Sequence, residues 1–167
     1  MLFAPFERLT IETPLTPEEV HQRLAEVIEP KRMFRFFSGN HKPYQGKLND
    51  DRFEVTRIIH YRNSFLPVIK GEIRPGLGGS VVDITMHPHI FVIVFMIIWF
   101  GIAGSLFFGL LCTALVSIWH STGERTADLV GVIFPAGFFV FGYVMVMGGF
   151  KFESVKSKAF FRELFRG

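Results

Sequence analysis

The chain has 167 residues and carries 18 Lys and Arg against 15 Asp and Glu, a formal net charge of +3. This length holds one small domain beside the two long apolar runs described below, and no second globular domain fits. The single cysteine, Cys112, excludes an intramolecular disulfide and a cysteine metal cluster.

The chain begins with a predicted strand and a well-marked helix. Residues 6–13 alternate apolar and polar side chains, as expected of a strand with one buried face. Thr16 and Glu19 form a capping box around Pro17, which predicts a helix start. An apolar stripe at helical spacing follows and stops at Pro30; its members are Val20, Leu24, Val27 and Ile28.

The next segment predicts two consecutive hairpins, whose four strands are residues 44–48, 52–62, 68–74 and 80–87. Phe53 and Val55 share one face of the second of these strands, and Arg57 shares that face and must therefore reach its edge. Residues 1–89 are thus predicted to form an α+β domain. Its order is a strand, a helix and a four-stranded antiparallel meander, with the helix covering one face of the sheet.

Two long apolar runs predict a transmembrane hairpin over residues 90–150. Residues 90–119 and 129–150 contain no Asp, Glu, Lys or Arg, and both reach the about 20 residues that a helix needs to cross a bilayer. Of the Lys and Arg residues, 12 precede the hairpin, one lies in the loop 120–128 and five follow it. The loop is therefore expected outside the membrane, with both termini in the cytoplasm.

Residues 151–167 predict an amphipathic helix on the inner membrane surface, because Phe161, Leu164 and Phe165 share one helical face. Its cations are expected to contact lipid or a partner; they are Lys151, Lys156, Lys158, Arg162 and Arg166.

A second candidate contact segment interleaves cations with aromatic residues: Lys31, Arg32, Phe34, Arg35 and Phe36. Such a pattern also occurs in a merely packed, solvated loop, and it can suit single-stranded nucleic acid. The membrane nearby favours lipid headgroups or a partner protein. No nucleic-acid partner is expected.

Small residues recur every four positions in the first apolar run, at Gly101, Ser105 and Gly109. This stripe lets another helix backbone approach closely. The neighbouring helix is either the second span of the same hairpin or another subunit, and the sequence leaves both open. Neither run contains an ionisable side chain of the kind that marks transport pathways, which argues against a transporter.

His87 and His89 are the only candidate metal pair. Zinc requires three or four protein ligands, and the further ligands would have to come from His41, His60 or Asp83, so no metal and no cofactor is expected. The polar cluster Arg62, Asn63 and Ser64 is interpreted as holding its loop through side-chain hydrogen bonds.

Two resemblances add to this interpretation. The order of elements, with Gly46–Phe53 and Lys70–Ser80, resembles half of a START-like (SRPBCC) helix-grip domain over roughly residues 6–87. That resemblance implies a domain that cradles hydrophobic ligands, although the long C-terminal helix of that superfamily has no counterpart before the membrane. The segment Tyr61–Pro67, the two spans and Lys151–Ser154 are similar to a family of uncharacterised bacterial two-span membrane proteins. This second resemblance implies an architecture, located in the bacterial inner membrane, and no activity.

Three functions fit the sequence. The first is a non-enzymatic membrane accessory or scaffold protein, which associates with itself or with other membrane subunits and docks a partner on its cytoplasmic domain. The second is a membrane-anchored module that binds a lipid or another hydrophobic ligand. The third is a homo-oligomeric pore or effector. An enzyme is not expected.

Overall fold

A computed structural model describes residues 4–31, 42–59, 61, 63–120 and 125–166 of the chain. These residues form two compact units, one made of Met1–His89 with Gly149–Gly167 and the other of Ile90–Gly148. The first unit is therefore assembled from chain on both sides of the apolar hairpin.

Nine helices and strands make up the described residues. In chain order they are β1 (Glu7–Thr13), α1 (Pro17–Val27), β2 (Ile28–Pro30), β3 (Tyr44–Leu48), β4 (Arg52–Arg57), β5 (Pro67–Gly76), β6 (Gly79–Pro88), α2 (Ile90–His120) and α3 (Arg125–Leu164). The predicted strand-and-helix region followed by two long apolar helices is confirmed.

The six strands form one mixed sheet in the order β1-β6-β5-β4-β3-β2. The strands β3 to β6 form the predicted antiparallel meander, and β1 pairs antiparallel with β6. The β5–β6 hairpin closes through Leu77 and Gly78. Gly78 has φ +84°, a left-handed conformation that glycine adopts without a steric cost.

The strand β2 was not predicted. Ile28 was expected to continue the helical stripe, but it has extended backbone angles, and β2 pairs in parallel with β3 at the sheet edge. The physical reason lies in Pro30, since a proline cannot continue a helix and drives the preceding residue into extended conformations. Thr16 and Glu19 form the predicted capping box at the start of α1, and Pro17 is the first residue of the helix.

One face of the sheet is buried beneath α1. Ile69, Ile84 and Met86 lie on that face and are fully buried, as are Val20 and Leu24 of the helix. We call this the inner face. Gly71 lies opposite Phe53 in the β4–β5 ladder, and a Cβ at Gly71 would come within 2.1 Å of the Phe53 ring. The glycine therefore leaves room for that ring to lie across the sheet.

The C-terminal segment, residues 149–166, also packs on the inner face. Phe161 is fully buried and its ring lies 5.2 Å from that of Tyr44 and 5.8 Å from that of Phe53. Phe165, 2% exposed, belongs to the same core.

This packing corrects the prediction of a separate tail with its apolar face on the membrane. The helix α3 continues without interruption from the apolar run to Leu164. The apolar face of the tail packs on the sheet, in the same core as the apolar side chains of α1.

The second unit is a pair of apolar helices. Trp99 stacks on Phe138 with ring centroids 4.4 Å apart, and Phe100 meets Phe139 edge to face at 4.8 Å. Only 6% of the most apolar stretch of α2 is buried, whereas a core helix of a soluble protein is mostly buried. By length and composition, stretches of both helices could cross a membrane.

The packing of the C-terminal segment predicts a large effect for Phe161→Ala. Removing this buried ring should lower the free energy of unfolding by about 3–5 kcal/mol, because it leaves a cavity in the core. Arg162→Ala, on an exposed position of the same helix, should change it by less than about 0.5 kcal/mol. Urea unfolding of the full-length protein in a mild detergent, followed by circular dichroism, measures both. Equal effects of the two variants would contradict the observed packing.

Candidate functional site

The C-terminal segment carries a buried carboxylate into the sheet domain. The side chain of Glu153 is 0% exposed, and its Oε2 lies 3.0 Å from Nη1 of Arg57. The Tyr61 hydroxyl donates a hydrogen bond to Oε1 of the same carboxylate. Nζ of Lys156, one helical turn further on, lies 3.6 Å from Oε1. We call these four residues the Glu153 cluster.

The Glu153 cluster explains why an arginine occupies the inner face. Arg57 follows Phe53 and Val55 on alternate positions of β4, which points it toward the core side of the sheet, as the sequence predicted. The Arg57 side chain is 30% exposed, so solvent reaches only part of it. Its guanidinium group forms an ion pair with Glu153. A buried carboxylate is tolerated only with such pairing and hydrogen bonding.

Sequence reasoning missed Glu153. The available signal was a single acid placed just after a long apolar run and preceded by Phe150 and Phe152. Its partner Arg57 is 96 residues away in the chain, so no local pattern connects the two.

Tyr61 of the Glu153 cluster and the nearby Tyr44 have phenols with perturbed pKa values. The hydrogen bond that Tyr61 donates to Glu153 raises the pKa of its phenol, with partial burial adding to the effect. Burial raises the pKa of the Tyr44 phenol, whereas the nearby Ser157 and Arg57 act to lower it. Ser157 is itself fully buried. Both phenols therefore remain protonated near neutral pH.

A second polar cluster joins the C-terminal segment to β1. Glu7 accepts hydrogen bonds from the ammonium groups of Lys151 and Lys158. Burial acts to raise the pKa of Glu7, but the hydrogen bonds and charges of the two lysines outweigh it and hold the pKa below its ordinary value. The Glu7 side chain is only 18% exposed. Two of the cations predicted to contact lipid or a partner are thus also engaged in the fold.

Hydrogen bonds fix both ends of the C-terminal segment. The Asn63 amide donates to the carbonyl of Gly149 at 3.2 Å, and Asn63 Oδ1 accepts from the backbone N–H of Phe65, in keeping with the loop-holding role expected of this cluster. At the other end, Arg23 donates to the carbonyls of Leu164 and Arg166 at 2.7 and 2.8 Å. These last carbonyls have no partner within the helix, and Arg23 satisfies them.

The remaining predicted contact residues are spread over different surfaces. Arg162 and Arg166 are exposed on the C-terminal segment, and Lys156 is 40% exposed. Lys31 is exposed beside the outer face of β3 and β4. The other members of its cluster lie outside the described residues: Arg32, Phe34, Arg35 and Phe36.

His87 and His89 lie at the end of β6 and just beyond it. Nδ1 of His87 is 2.9 Å from the carbonyl oxygen of Pro88. The described residues contain no group of three or more His, Cys, Asp or Glu side chains that could hold a metal ion. His41 and His60, two of the proposed further ligands, lie outside the described residues.

The small-residue stripe of α2 does not pack on α3. Gly101, Ser105 and Gly109 are all exposed in the helix pair, and a Cβ added at either glycine would meet nothing within 4 Å. The contact between the helices uses other residues, since a Cβ at Gly142 would come within 2.7 Å of the Trp99 indole nitrogen. The Ser105 hydroxyl donates to the carbonyl of Gly101 at 2.7 Å, which satisfies it within its own helix.

The inner face of the sheet is filled by the protein's own side chains. Tyr44, Ile69 and Ile84 are at most 1% exposed, and the phenyl rings of Phe150 and Phe161 cover them from α3. A hydrophobic-ligand domain would need a cavity at this position. The described packing therefore favours a role of the C-terminal segment in closing the domain.

Comparison of the chain with protein-family models, with curated proteins and with solved structures found no match. The two resemblances noted in the sequence thus stay predictions. The carboxylates of Glu153 and Glu7 are held by ion pairs and by hydrogen bonds that their partners donate. These contacts hold the C-terminal segment against the sheet domain.

Glu153→Gln should lower the free energy of unfolding by about 1–3 kcal/mol. The amide keeps the size of the side chain but removes the charge that pairs with Arg57 in a buried position. Glu163→Gln is the matched control on the same helix, because its ion pair with Arg166 is about 80% exposed and contributes little. Urea unfolding of both variants in detergent measures the difference. Equal losses would show that burial of the Glu153 pair does not stabilise the fold.

Proposed function

We propose that this protein is a non-enzymatic accessory or scaffold protein of the bacterial inner membrane. In this proposal the helices α2 and α3 cross the bilayer as a hairpin and associate with a second copy or with another membrane subunit. The sheet domain lies on the cytoplasmic side and docks a partner.

The surface of the helix pair supports membrane insertion. Large apolar side chains remain exposed along both helices, among them Ile97, Ile98, Phe108, Phe134 and Phe141, each more than half exposed. A water-soluble protein rarely leaves so much contiguous apolar surface uncovered. Lipid tails would cover these side chains without a solvation cost.

The assembly of the sheet domain supports a hairpin with both ends on one side. The domain contains residues before α2 and residues at the end of α3, in contact through the Glu153 cluster and the phenylalanine core. Only an even number of crossings returns the chain to the side from which it started. Cations flank the hairpin on that side, in keeping with a cytoplasmic location.

The exposed stripe on α2 is the observation that carries the proposal of association. Gly101 and Gly109 leave space along one face of the helix, and α3 does not use that space. Small residues allow two helix backbones to approach closely in a bilayer, where packing drives association. A helix from a second copy or another subunit fits this face.

The alternative of a hydrophobic-ligand module gains no support from the sheet domain, since the inner face of the sheet is filled by buried side chains. A pore likewise gains no support. The hydroxyls of Ser105 and Thr113 donate to carbonyls of their own helix, which leaves them poorly suited to line a polar path.

Leucine substitution of the stripe tests the proposed association. The double variant Gly101→Leu, Gly109→Leu should weaken association by roughly tenfold or more, about 1.4 kcal/mol, because bulky side chains hold the helices apart. Gly137→Leu is the control, a glycine on α3 whose added Cβ also meets nothing within 4 Å. Native mass spectrometry from nanodiscs, or energy transfer between labelled copies at varied dilution in lipid, measures the change.

A wild-type protein that is monomeric at every dilution and shows no bound subunit after extraction from its own membrane would contradict the proposal. Equal weakening by the stripe variant and by Gly137→Leu would show that the stripe is not the contact face.

A further inference from the structure

The C-terminal segment has a second apolar face, opposite the one buried in the sheet. On this side Phe152 is 57% exposed and Val155 is 64% exposed. Tyr61, which reaches the same region through Glu153, is 47% exposed. These three side chains form an aromatic and aliphatic patch on the surface of the domain. The opposite face of the helix is packed in the core.

A cation sits within this patch. Nζ of Lys156 lies 3.7 Å from the centroid of the Phe152 ring and 5.7 Å from that of Tyr61. Such cation–π contacts hold the ammonium group against the aromatic faces. The Lys156 side chain is nonetheless 40% exposed, so its charge remains accessible to an anion.

The position of the patch along α3 matches the boundary of a bilayer. The apolar run ends at Phe150, and a helix rises 1.5 Å per residue, so the backbone of Phe152 and Val155 lies roughly 3 and 8 Å further along the axis. The headgroup region of one leaflet is about 5–7 Å thick. Aromatic side chains and lysine are the residues that favour this layer.

The charge of the segment matches an anionic leaflet. Residues 149–167 contain five cations and two acids. Lys151 and Lys158 bind Glu7, whereas Lys156, whose Nζ lies 3.6 Å from Glu153, keeps 40% of its side chain exposed and Arg162 is exposed. Anionic headgroups attract such cations near the membrane surface.

We infer that Tyr61, Phe152, Val155 and Lys156 form an interfacial anchor that inserts into the headgroup layer of an anionic leaflet. The ligand is the phospholipid surface itself, with Lys156 facing phosphate and the apolar side chains reaching the upper acyl chains. The inference rests on the proposed function, because it requires that α3 cross the bilayer. It reverses the orientation expected from sequence, in which the face of Phe161 and Phe165 met the membrane.

Spin labelling of the full chain in nanodiscs of phosphatidylglycerol and phosphatidylcholine tests the anchor. Single nitroxide labels are placed in a Cys112→Ala background by the variants Phe152→Cys, Val155→Cys, Glu163→Cys and Val140→Cys. Val140 is 59% exposed in the middle of the apolar run, and Glu163 is exposed near the chain end. For each label, the ratio of its accessibility to oxygen to its accessibility to a water-soluble nickel complex reports its depth in the bilayer.

The anchor predicts intermediate depth at positions 152 and 155, with an oxygen-to-nickel ratio severalfold above that at position 163 and below that at position 140. Lys156→Glu should move the label at position 155 toward water in anionic nanodiscs. Labels at 152 and 155 as water-accessible as that at 163 would overturn the inference, provided that position 140 remains deep. A water-accessible label at 140 would instead overturn the membrane crossing itself. Spin–spin broadening at 152 or 155 would identify a protein contact in place of lipid and would also overturn the anchor.

Discussion

The packing of the C-terminal segment on the inner face of the sheet is the constraint on which the rest of the structure depends. The helix α1 supplies Val20 and Leu24 to the core, and α3 supplies Phe150, Phe161 and Phe165 after the chain has run through the whole apolar hairpin. The domain is thus complete only when the chain end returns to it. In the chain, the apolar hairpin lies between the last strand of the domain and the C-terminal segment of α3, which belongs to the same domain.

Polar contacts give this packing a defined register. Apolar side chains would tolerate a shift of the helix along the sheet, but buried charges would not, because each would lose its partner. Glu153 meets Arg57 and Tyr61 near the start of the segment, and Arg23 binds the last carbonyls at its end. The two acids Glu153 and Glu7 hold the segment against different strands.

Local patterns were sufficient to predict much of the fold. The capping box of Thr16 and Glu19, the alternation in the strands and the two apolar runs each depend on residues within a few positions of one another. The surface on which the C-terminal segment packs was not predictable from such local patterns. An amphipathic face such as that of Phe161 and Phe165 fits a membrane surface and an uncovered sheet equally well. The ion pair of Glu153 with Arg57 was missed for the same reason, since its partners meet only in the tertiary structure.

The central claim is that both ends of the chain build one domain on one side of a membrane. In cells expressing the protein in a Cys112→Ala background, cysteines introduced as Ala4→Cys, Arg166→Cys or Ser121→Cys can be treated with a membrane-impermeant maleimide. The account predicts that positions 4 and 166 are labelled only after permeabilisation and that position 121 is labelled in intact cells. Labelling of one chain end but not the other in intact cells would contradict it, because chain ends on opposite sides of a bilayer cannot share one core.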